Sequence, residues 1–198
     1  MVIGEDFAWA HMPKTAGTAT VAMFRAFDGL VRFADSPDEV DAHVTFAERR
    51  AEVEGRLLVL NLRRLPAWAI SRAHYVSLHG VYPDFERIPM PPADDLARSS
   101  FPDERLALFT DRGRLEIGRW MRAEYLADDV LDFVGGLREV SDTERARVRA
   151  VGRLNALAYE HDVSRWLTPA QVELLYEHNP AWATLEERVY GAAVVAVD

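Results

Sequence analysis

The sequence of 198 residues contains no cysteine and a single lysine, and it has neither a basic surplus nor a long apolar run. Without cysteine the chain can form no disulfide, no thiolate metal site and no cysteine nucleophile. Its net charge of −9 has the wrong sign for a protein that holds a nucleic-acid backbone. We therefore expect no nucleic-acid partner, and any anionic ligand must be bound by a local positive site.

The N-terminal segment MVIGEDFAWAHM carries acidic residues and does not have the basic region and apolar run of a secretory signal. No stretch approaches the length of a membrane span. Hydrophobic residues make up 49% of the chain, which is enough for a well-buried core. These features predict a cytoplasmic protein that forms a single domain over residues 1–198.

The only lysine, Lys14, stands against 22 arginines. A coding bias toward arginine explains the arginines but not the exception. A compact ammonium on a flexible stem differs from a guanidinium in reach, hydration and ability to release a proton. We therefore expect Lys14 to lie in a site that needs these properties.

Strand, turn and helix patterns follow one another twice in the sequence. Apolar runs at residues 6–12 and 56–62 precede helical patterns at 18–27 and 66–79. Shorter strands are predicted at residues 30–33 and 117–121. This alternation predicts a three-layer α/β fold, with a central parallel sheet of four to five strands and helices on both faces.

The C-terminal part of the sequence is predicted to be helical over residues 125–137, 141–162 and 168–179. Ser141 and Glu144 have the spacing of a capping box. Thr168 and Pro169 are typical of an N-cap and a first helical position. A proline-rich stretch at residues 81–95 is predicted to be a surface excursion or a lid.

The segment HMPKTAGT lies between the first long strand and its helix, where backbone N–H groups and a helix dipole favour an anion. Compared with the nucleotide-triphosphate loop G-x-x-x-x-G-K-[ST], it has Ala8 and Pro13 in place of the two glycines. The segment closely resembles the 5′-phosphosulfate loop of sulfotransferases that use 3′-phosphoadenosine 5′-phosphosulfate (PAPS). The resemblance implies a P-loop-like fold in which the donor is bound by Lys14, Thr15, Ala16, Gly17, Thr18 and Ala19.

A second motif extends the resemblance to this family. Its members bind the 3′-phosphate of the nucleotide with an arginine after a central strand and a serine eight residues later. Arg63 and Ser71 have this spacing in LNLRRLPAWAIS. A guanidinium and a hydroxyl can share one phosphate at the edge of a parallel sheet. Arg64 remains a competing choice, because the Asp-Pro that usually follows the arginine is replaced here.

His43 in the segment DAHVTF resembles the histidine that activates the acceptor in the carbohydrate branch of the family. An imidazole with a near-neutral pKa can take the proton of an alcohol, although a surface histidine would give the same pattern. The other histidines are predicted to orient the loop (His11), to be alternative bases (His74, His79) or to be structural (His161, His178).

The later segments GRWMRAEYLADD and LTPAQVELLYEHNPAWATLEERVYG also resemble family elements, a late strand and the C-terminal helices. The family's C-terminal Arg-Lys-Gly loop is absent. The resemblance leaves three arginines as replacements for it: Arg122, Arg49 and Arg188.

The resemblance implies transfer of a sulfuryl group from PAPS to the hydroxyl of a small acceptor, such as a sugar, lipid or natural product. The second product would be adenosine 3′,5′-bisphosphate. In this interpretation Lys14 and His43 are catalytic, and no metal is formally required, because positioning and charge stabilisation suffice. Two alternatives remain: a small ATP-dependent kinase with a degenerate P-loop, and a non-catalytic nucleotide-binding protein with the same fold.

Overall fold

The computed structural model describes residues 1–35, 43–79, 89–152, 154 and 157–191. The strands are β1 (Val2–Ile3), β2 (Phe7–Ala10), β3 (Phe33–Ala34), β4 (Leu57–Leu62) and β5 (Arg119–Arg122). The helices are α1 (Gly17–Arg25), α2 (Arg50–Val53), α3 (Leu65–His79), α4 (Ala93–Ala97), α5 (Phe101–Phe109), α6 (Leu126–Leu137), α7 (Asp142–Ala150), α8 (Pro169–His178) and α9 (Pro180–Tyr190). Over these ranges no helix is both long enough and apolar enough to cross a membrane.

The five strands form one sheet in the order β3-β1-β2-β4-β5. β2, β4 and β5 run parallel, with Trp9 opposite Val59 and Leu60 opposite Trp120. β1 is antiparallel to both of its neighbours, β2 and β3. The predicted α/β class is confirmed. The sheet was predicted to be parallel and is mostly so, because the two-residue β1, which was not predicted, runs against the other strands.

Pairing with β1 also moves one predicted strand. Residues 30–33 were predicted to be extended, but the strand begins at Phe33, where Phe33 and Ala34 pair with Ile3 and Val2. The chain first turns at Gly29, which has a φ of 71°. The partner that fixes this strand lies about thirty residues earlier in the sequence, so local pattern could not locate it.

The chain groups into two compact units, and each is drawn from two separate stretches of sequence. The first unit comprises Met1–Leu62 and Ala107–Ala156 and contains the sheet. Its core joins β2, α1 and α6: the ring of Phe7 lies 5.2 Å from both the Phe24 ring and the Phe133 ring. The prediction of a single domain stays a prediction.

The second unit comprises Arg63–Leu106 and the chain from Leu157 onward, and it is helical. α3 contacts α4, α8 and α9, and α8 contacts α4 and α9. Trp68 of α3 and Trp182 of α9 are buried, with ring centroids 5.0 Å apart. Trp182 therefore packs α9 against α3.

Helix starts follow the sequence more closely than helix ends. The capping boxes at Ser141 and Thr168 are both present. The helix predicted for residues 141–162 ends at Ala150, because Val148 is its last fully packed residue and Gly152 follows.

The proline-rich excursion predicted at residues 81–95 lies mostly outside the described residues. Its last three residues belong to α4, a helix that was not predicted from the sequence. α2 and α5 were not predicted either. All three are short helices or lie next to proline, so their sequences carry weak helical periodicity.

Candidate anion-binding site

The loop between β2 and α1 has an unusual backbone. Lys14 and Ala16 both adopt left-handed conformations, with φ of 65° and 67°. A non-glycine residue costs about 1–2 kcal/mol in this region. Left-handed residues that alternate with ordinary ones turn successive N–H groups into one concavity, which suits an anion. The loop thus stores strain in a shape that favours anion binding.

The first turn of α1 offers donors to the same place. Its N-cap, Ala16, has no side chain that accepts a hydrogen bond from the helix. Within the described part of the chain, the N–H groups of Gly17, Thr18 and Ala19 donate to no acceptor. These are three of the N–H groups that a helix leaves without an internal partner. Together with the dipole of α1 they define a donor set for an oxyanion.

Asn61 of β4 holds the loop in place. Its amide donates to the carbonyl oxygen of Thr15 at 2.8 Å and to Thr20 Oγ1 at 2.6 Å. Its carbonyl oxygen accepts a hydrogen bond from Trp9 Nε1 at 2.9 Å. Through these three hydrogen bonds the completely buried Asn61 side chain joins β2, β4, the loop and α1.

The two threonines of the loop motif have different roles. Thr15 is completely buried, and its hydroxyl donates to the carbonyl oxygen of Met12 at 2.7 Å. Only its backbone N–H therefore remains as a candidate contact for the predicted phosphosulfate. The Thr18 hydroxyl is half-buried and has no hydrogen bond to any residue that the structure describes, so it is the hydroxyl that can serve a ligand.

His11 packs against the start of α1. A Cβ atom on Gly17 would overlap the His11 ring, which explains why glycine occupies this position. The ring also stacks on Trp9, with centroids 5.6 Å apart. Burial, the neighbouring His43 and the positive charges of the N-terminus and Lys14 lower the pKa of His11 from 6.5 to about 3. His11 is therefore a neutral packing group, as its predicted role in orienting the loop requires.

The structure brings His43 to the loop. Its ring lies 4.5 Å from the His11 ring, and its Nδ1 lies 3.0 Å from the carbonyl oxygen of His11. A carbonyl oxygen only accepts, so this contact places the proton of the neutral imidazole on Nδ1. The lone pair is then on Nε2, in an exposed ring. In this tautomer the imidazole accepts a proton at Nε2.

Arg63 and Ser71, the predicted 3′-phosphate ligands, belong to the second unit. Arg63 directly follows β4, and its carbonyl oxygen accepts a hydrogen bond from Trp182 Nε1 at 3.1 Å. Ser71 lies on α3 and is only 4% exposed. The predicted positions after a strand and on the next helix are therefore found.

The competing arginine, Arg64, has a structural partner. Its guanidinium donates to Glu186 at 3.0 Å and lies 4.1 Å from the centre of the Tyr190 ring. Glu186 is completely buried and also accepts hydrogen bonds from the Leu65 N–H and the Tyr176 hydroxyl. These hydrogen bonds offset the cost of burying the Glu186 carboxylate. Arg64 therefore has a structural role in the packing of α9.

Two other predicted nucleotide contacts are paired with carboxylates. Arg122 donates to Asp129 through Nε and Nη2, and Arg49 donates to Asp35 at 2.8 Å. Both arginines therefore have local structural roles.

The alternative bases His74 and His79, and His161, which was predicted to be structural, all lie in aromatic surroundings. His74 stacks on Tyr159, His161 lies against the same tyrosine, and His79 lies against Tyr75. Burial is the main factor that lowers the pKa of His74. These contacts favour structural roles for the three histidines over base catalysis.

Asn61 and Glu186 were not predicted from the sequence to belong to these contacts. Asn61 could have been found, because it is the only polar residue in the apolar run LLVLNL. Glu186 could not, because nothing local distinguishes it from the neighbouring glutamates of α9. Comparison of the chain with protein-family models, curated proteins and solved structures finds no match in any of the three.

Proposed function

We propose that the chain transfers a sulfuryl group from PAPS to the hydroxyl of a small acceptor, and that its sheet is of the P-loop-like kind. The observation that carries this proposal is the juxtaposition of three features: the left-handed loop at Lys14 and Ala16, the uncapped start of α1, and His43 with its lone pair on Nε2. A cytoplasmic location stays a prediction from the sequence.

The donor set fits the phosphosulfate of PAPS. N–H groups of the loop and α1, the Thr18 hydroxyl and the Lys14 ammonium are all suited to anionic oxygens. PAPS would supply the sulfuryl group and a good leaving group. In the second unit, Arg63 and Ser71 would recognise the 3′-phosphate.

The roles of the chain's own residues follow from their chemistry. Lys14 would neutralise the negative charge that develops on the leaving oxygen, where a compact ammonium is most effective. His43 would accept the acceptor's proton on Nε2, while the carbonyl oxygen of His11 stabilises the Nδ1–H of the resulting imidazolium. Neutral His11 would fill the space beside the loop and keep water out.

Ligand-induced stabilisation tests the nucleotide. Adenosine 3′,5′-bisphosphate should raise the melting temperature by mass action, and AMP should raise it far less. ATP with magnesium serves as the kinase control. Equal shifts in melting temperature with the bisphosphate and with AMP would show that Arg63 and Ser71 do not bind a 3′-phosphate. A shift with ATP and magnesium alone would favour the kinase.

Arg63→Ala and Arg64→Ala form a matched pair for the same question. Arg63→Ala should abolish the preference for the 3′-phosphate, because a charge-assisted contact contributes about 1.5–3 kcal/mol. Arg64→Ala should lower stability through the loss of its contacts to Glu186 and Tyr190, yet keep the preference. Loss of the preference in Arg64→Ala but not in Arg63→Ala would assign the 3′-phosphate contact to Arg64.

Turnover is measured by the release of adenosine 3′,5′-bisphosphate from PAPS in the presence of alcohols, phenols and sugars. His43→Ala should slow this release while leaving the affinity for PAPS nearly unchanged. Binding of PAPS without release for any acceptor would favour the non-catalytic alternative.

A further inference from the structure

The second unit contains an apolar cavity of about 240 Å³. It lies between α3 and the segment from Pro89 to Pro102. Among the residues that the structure describes, those lining the cavity are all apolar except Arg72 and Ser99. Its apolar walls include Trp68, Ala73, Val76, Pro91, Leu96 and Phe101.

Two arginines flank the aromatic wall of this cavity. The guanidinium carbon of Arg72 lies 5.3 Å from the centre of the Phe101 ring, and that of Arg105 lies 4.8 Å from the same centre. Both side chains are half-buried. Burial, followed by the charge of Arg105, lowers the pKa of Arg72 below that of an ordinary arginine.

Neither guanidinium forms a hydrogen bond or an ion pair with any residue in the described ranges. Other half-buried arginines of this chain do find carboxylates: the pairs are Arg49–Asp35, Arg64–Glu186, Arg122–Asp129 and Arg138–Glu144. Removing a charge from water without a partner is costly. Among the described residues, the two guanidinium groups against the Phe101 ring therefore have no carboxylate partner.

The cavity and the cations together specify the ligand. A volume of about 240 Å³ holds roughly eight non-hydrogen atoms, if each takes about 30 Å³ as water does in the liquid. Apolar walls favour a hydrocarbon body, and a guanidinium favours the two oxygens of a carboxylate. We propose that this cavity binds a small amphiphilic carboxylate, with its hydrocarbon body inside and its carboxylate on Arg72 and Arg105.

The site lies within the second unit and does not rest on the proposed sulfotransferase function. Octanoate is the probe, because its hydrocarbon chain of seven carbons fits a volume of roughly eight non-hydrogen atoms. Octanol has a hydrocarbon chain of similar length but no charge. Butyrate has the carboxylate but only a short hydrocarbon chain. Titration calorimetry on the full chain, with octanoate below its micelle concentration, measures the affinities.

Octanoate should bind saturably with a stoichiometry of one, and octanol and butyrate should bind at least tenfold more weakly. Arg72→Gln should lower the affinity for octanoate by about tenfold to a hundredfold, as expected for a lost charge-assisted contact. The control is Arg98→Gln, because Arg98 is exposed and does not line the cavity. The affinity of the Arg98→Gln variant for octanoate should equal that of the unaltered chain.

Ala73→Leu tests the hydrocarbon part of the site by filling the cavity. It should remove octanoate binding while the circular dichroism spectrum stays unchanged. If this variant fails to fold, the comparison of octanoate with octanol and the Arg72→Gln variant still decide the question. Absence of saturable octanoate binding, equal affinities for octanol and octanoate, or an unaltered affinity in Arg72→Gln would overturn the proposal.

Discussion

At the scale of single residues, two neighbouring positions of the loop should respond to substitution for different reasons, backbone strain at Ala16 and packing at Gly17. Ala16 has a φ of 67°, so glycine there should relieve the backbone. We expect Ala16→Gly to raise the free energy of unfolding by roughly 1 kcal/mol. Gly17→Ala should lower it, because its Cβ would overlap His11.

Urea denaturation of both variants checks this prediction. Ala22→Gly, inside α1, is the control and should cost about 0.5–1 kcal/mol, as glycine does in a helix interior. Destabilisation by Ala16→Gly of the same size as by Ala22→Gly would mean that the left-handed conformation at Ala16 carries no strain.

His11 should make stability depend on pH. The unfolded chain binds a proton on His11 near pH 6.5, whereas the folded protein does so only near pH 3. Protonation therefore favours unfolding, and stability should fall below about pH 6.5 by up to ~1.4 kcal/mol per pH unit. Above pH 6.5 this contribution is constant.

Urea denaturation at pH 7.5, 6 and 5 measures this contribution in the unaltered chain and in His11→Gln. The variant cannot titrate at this position, so its stability should fall less steeply with decreasing pH. His79→Gln, at an exposed position, should retain the slope of the unaltered chain. Parallel slopes for the unaltered chain and His11→Gln would contradict the prediction.

Lys14→Arg separates binding from catalysis. It keeps the charge but replaces a compact donor with a wide planar group in a tight loop. If Lys14 acts on charge that develops in the transition state, turnover should fall by about 10²–10³ while the affinity for nucleotide changes much less. A variant with full turnover on its acceptor would show that the single lysine has no catalytic role.

At the scale of secondary-structure elements, the site depends on contacts between strands and the loop. Asn61 is the point at which β2, β4, the loop and α1 are joined. Asn61→Leu keeps the size of the side chain but leaves Trp9 Nε1 and the Thr15 carbonyl oxygen buried without partners. We expect a loss of about 3 kcal/mol in the free energy of unfolding.

A double-mutant cycle with Trp9→Phe measures the contact between the two side chains. Because Trp9→Phe removes the indole donor, the double variant should be more stable than the sum of the single losses predicts, by at least about 0.5 kcal/mol. Strict additivity would show that the Trp9 contact does not contribute to fixing the loop.

Capping explains which element boundaries were predictable. The starts of α7 and α8 are set by Ser141 with Glu144 and by Thr168 with Gln171, which are contacts within four residues. The end of α7 depends instead on where its packing stops, after Val148. Local chemistry therefore predicted where these helices begin, and only tertiary contacts decide where α7 ends.

At the scale of the whole molecule, each unit is assembled from two stretches that are distant in the sequence. β5 completes the sheet beside β4, and α6 contributes Val130 and Phe133 to the core of the first unit. A fragment of residues 1–106 lacks these elements, so it should not fold.

The fragment should show no cooperative urea transition in its circular dichroism signal, whereas the full chain should show one. Tryptophan fluorescence of the fragment should match that of the chain in denaturant, because Trp9 would lose the cover that makes it fully buried. A cooperative transition in the fragment would show that residues 107–156 are dispensable for the fold of the first unit.

The sequence by itself determined the class of fold, the loop that joins β2 to α1 and the candidate roles of Lys14 and Arg63, because apolar runs, prolines and motif spacing are local properties. Tertiary structure decided what no local pattern records. It placed His43 beside His11, committed Arg64 to buried Glu186 and turned the Thr15 hydroxyl inward. The physical reason is that hydrogen-bond partners and burial depend on residues that are far apart in the chain, and these set the tautomer, charge and availability of each side chain.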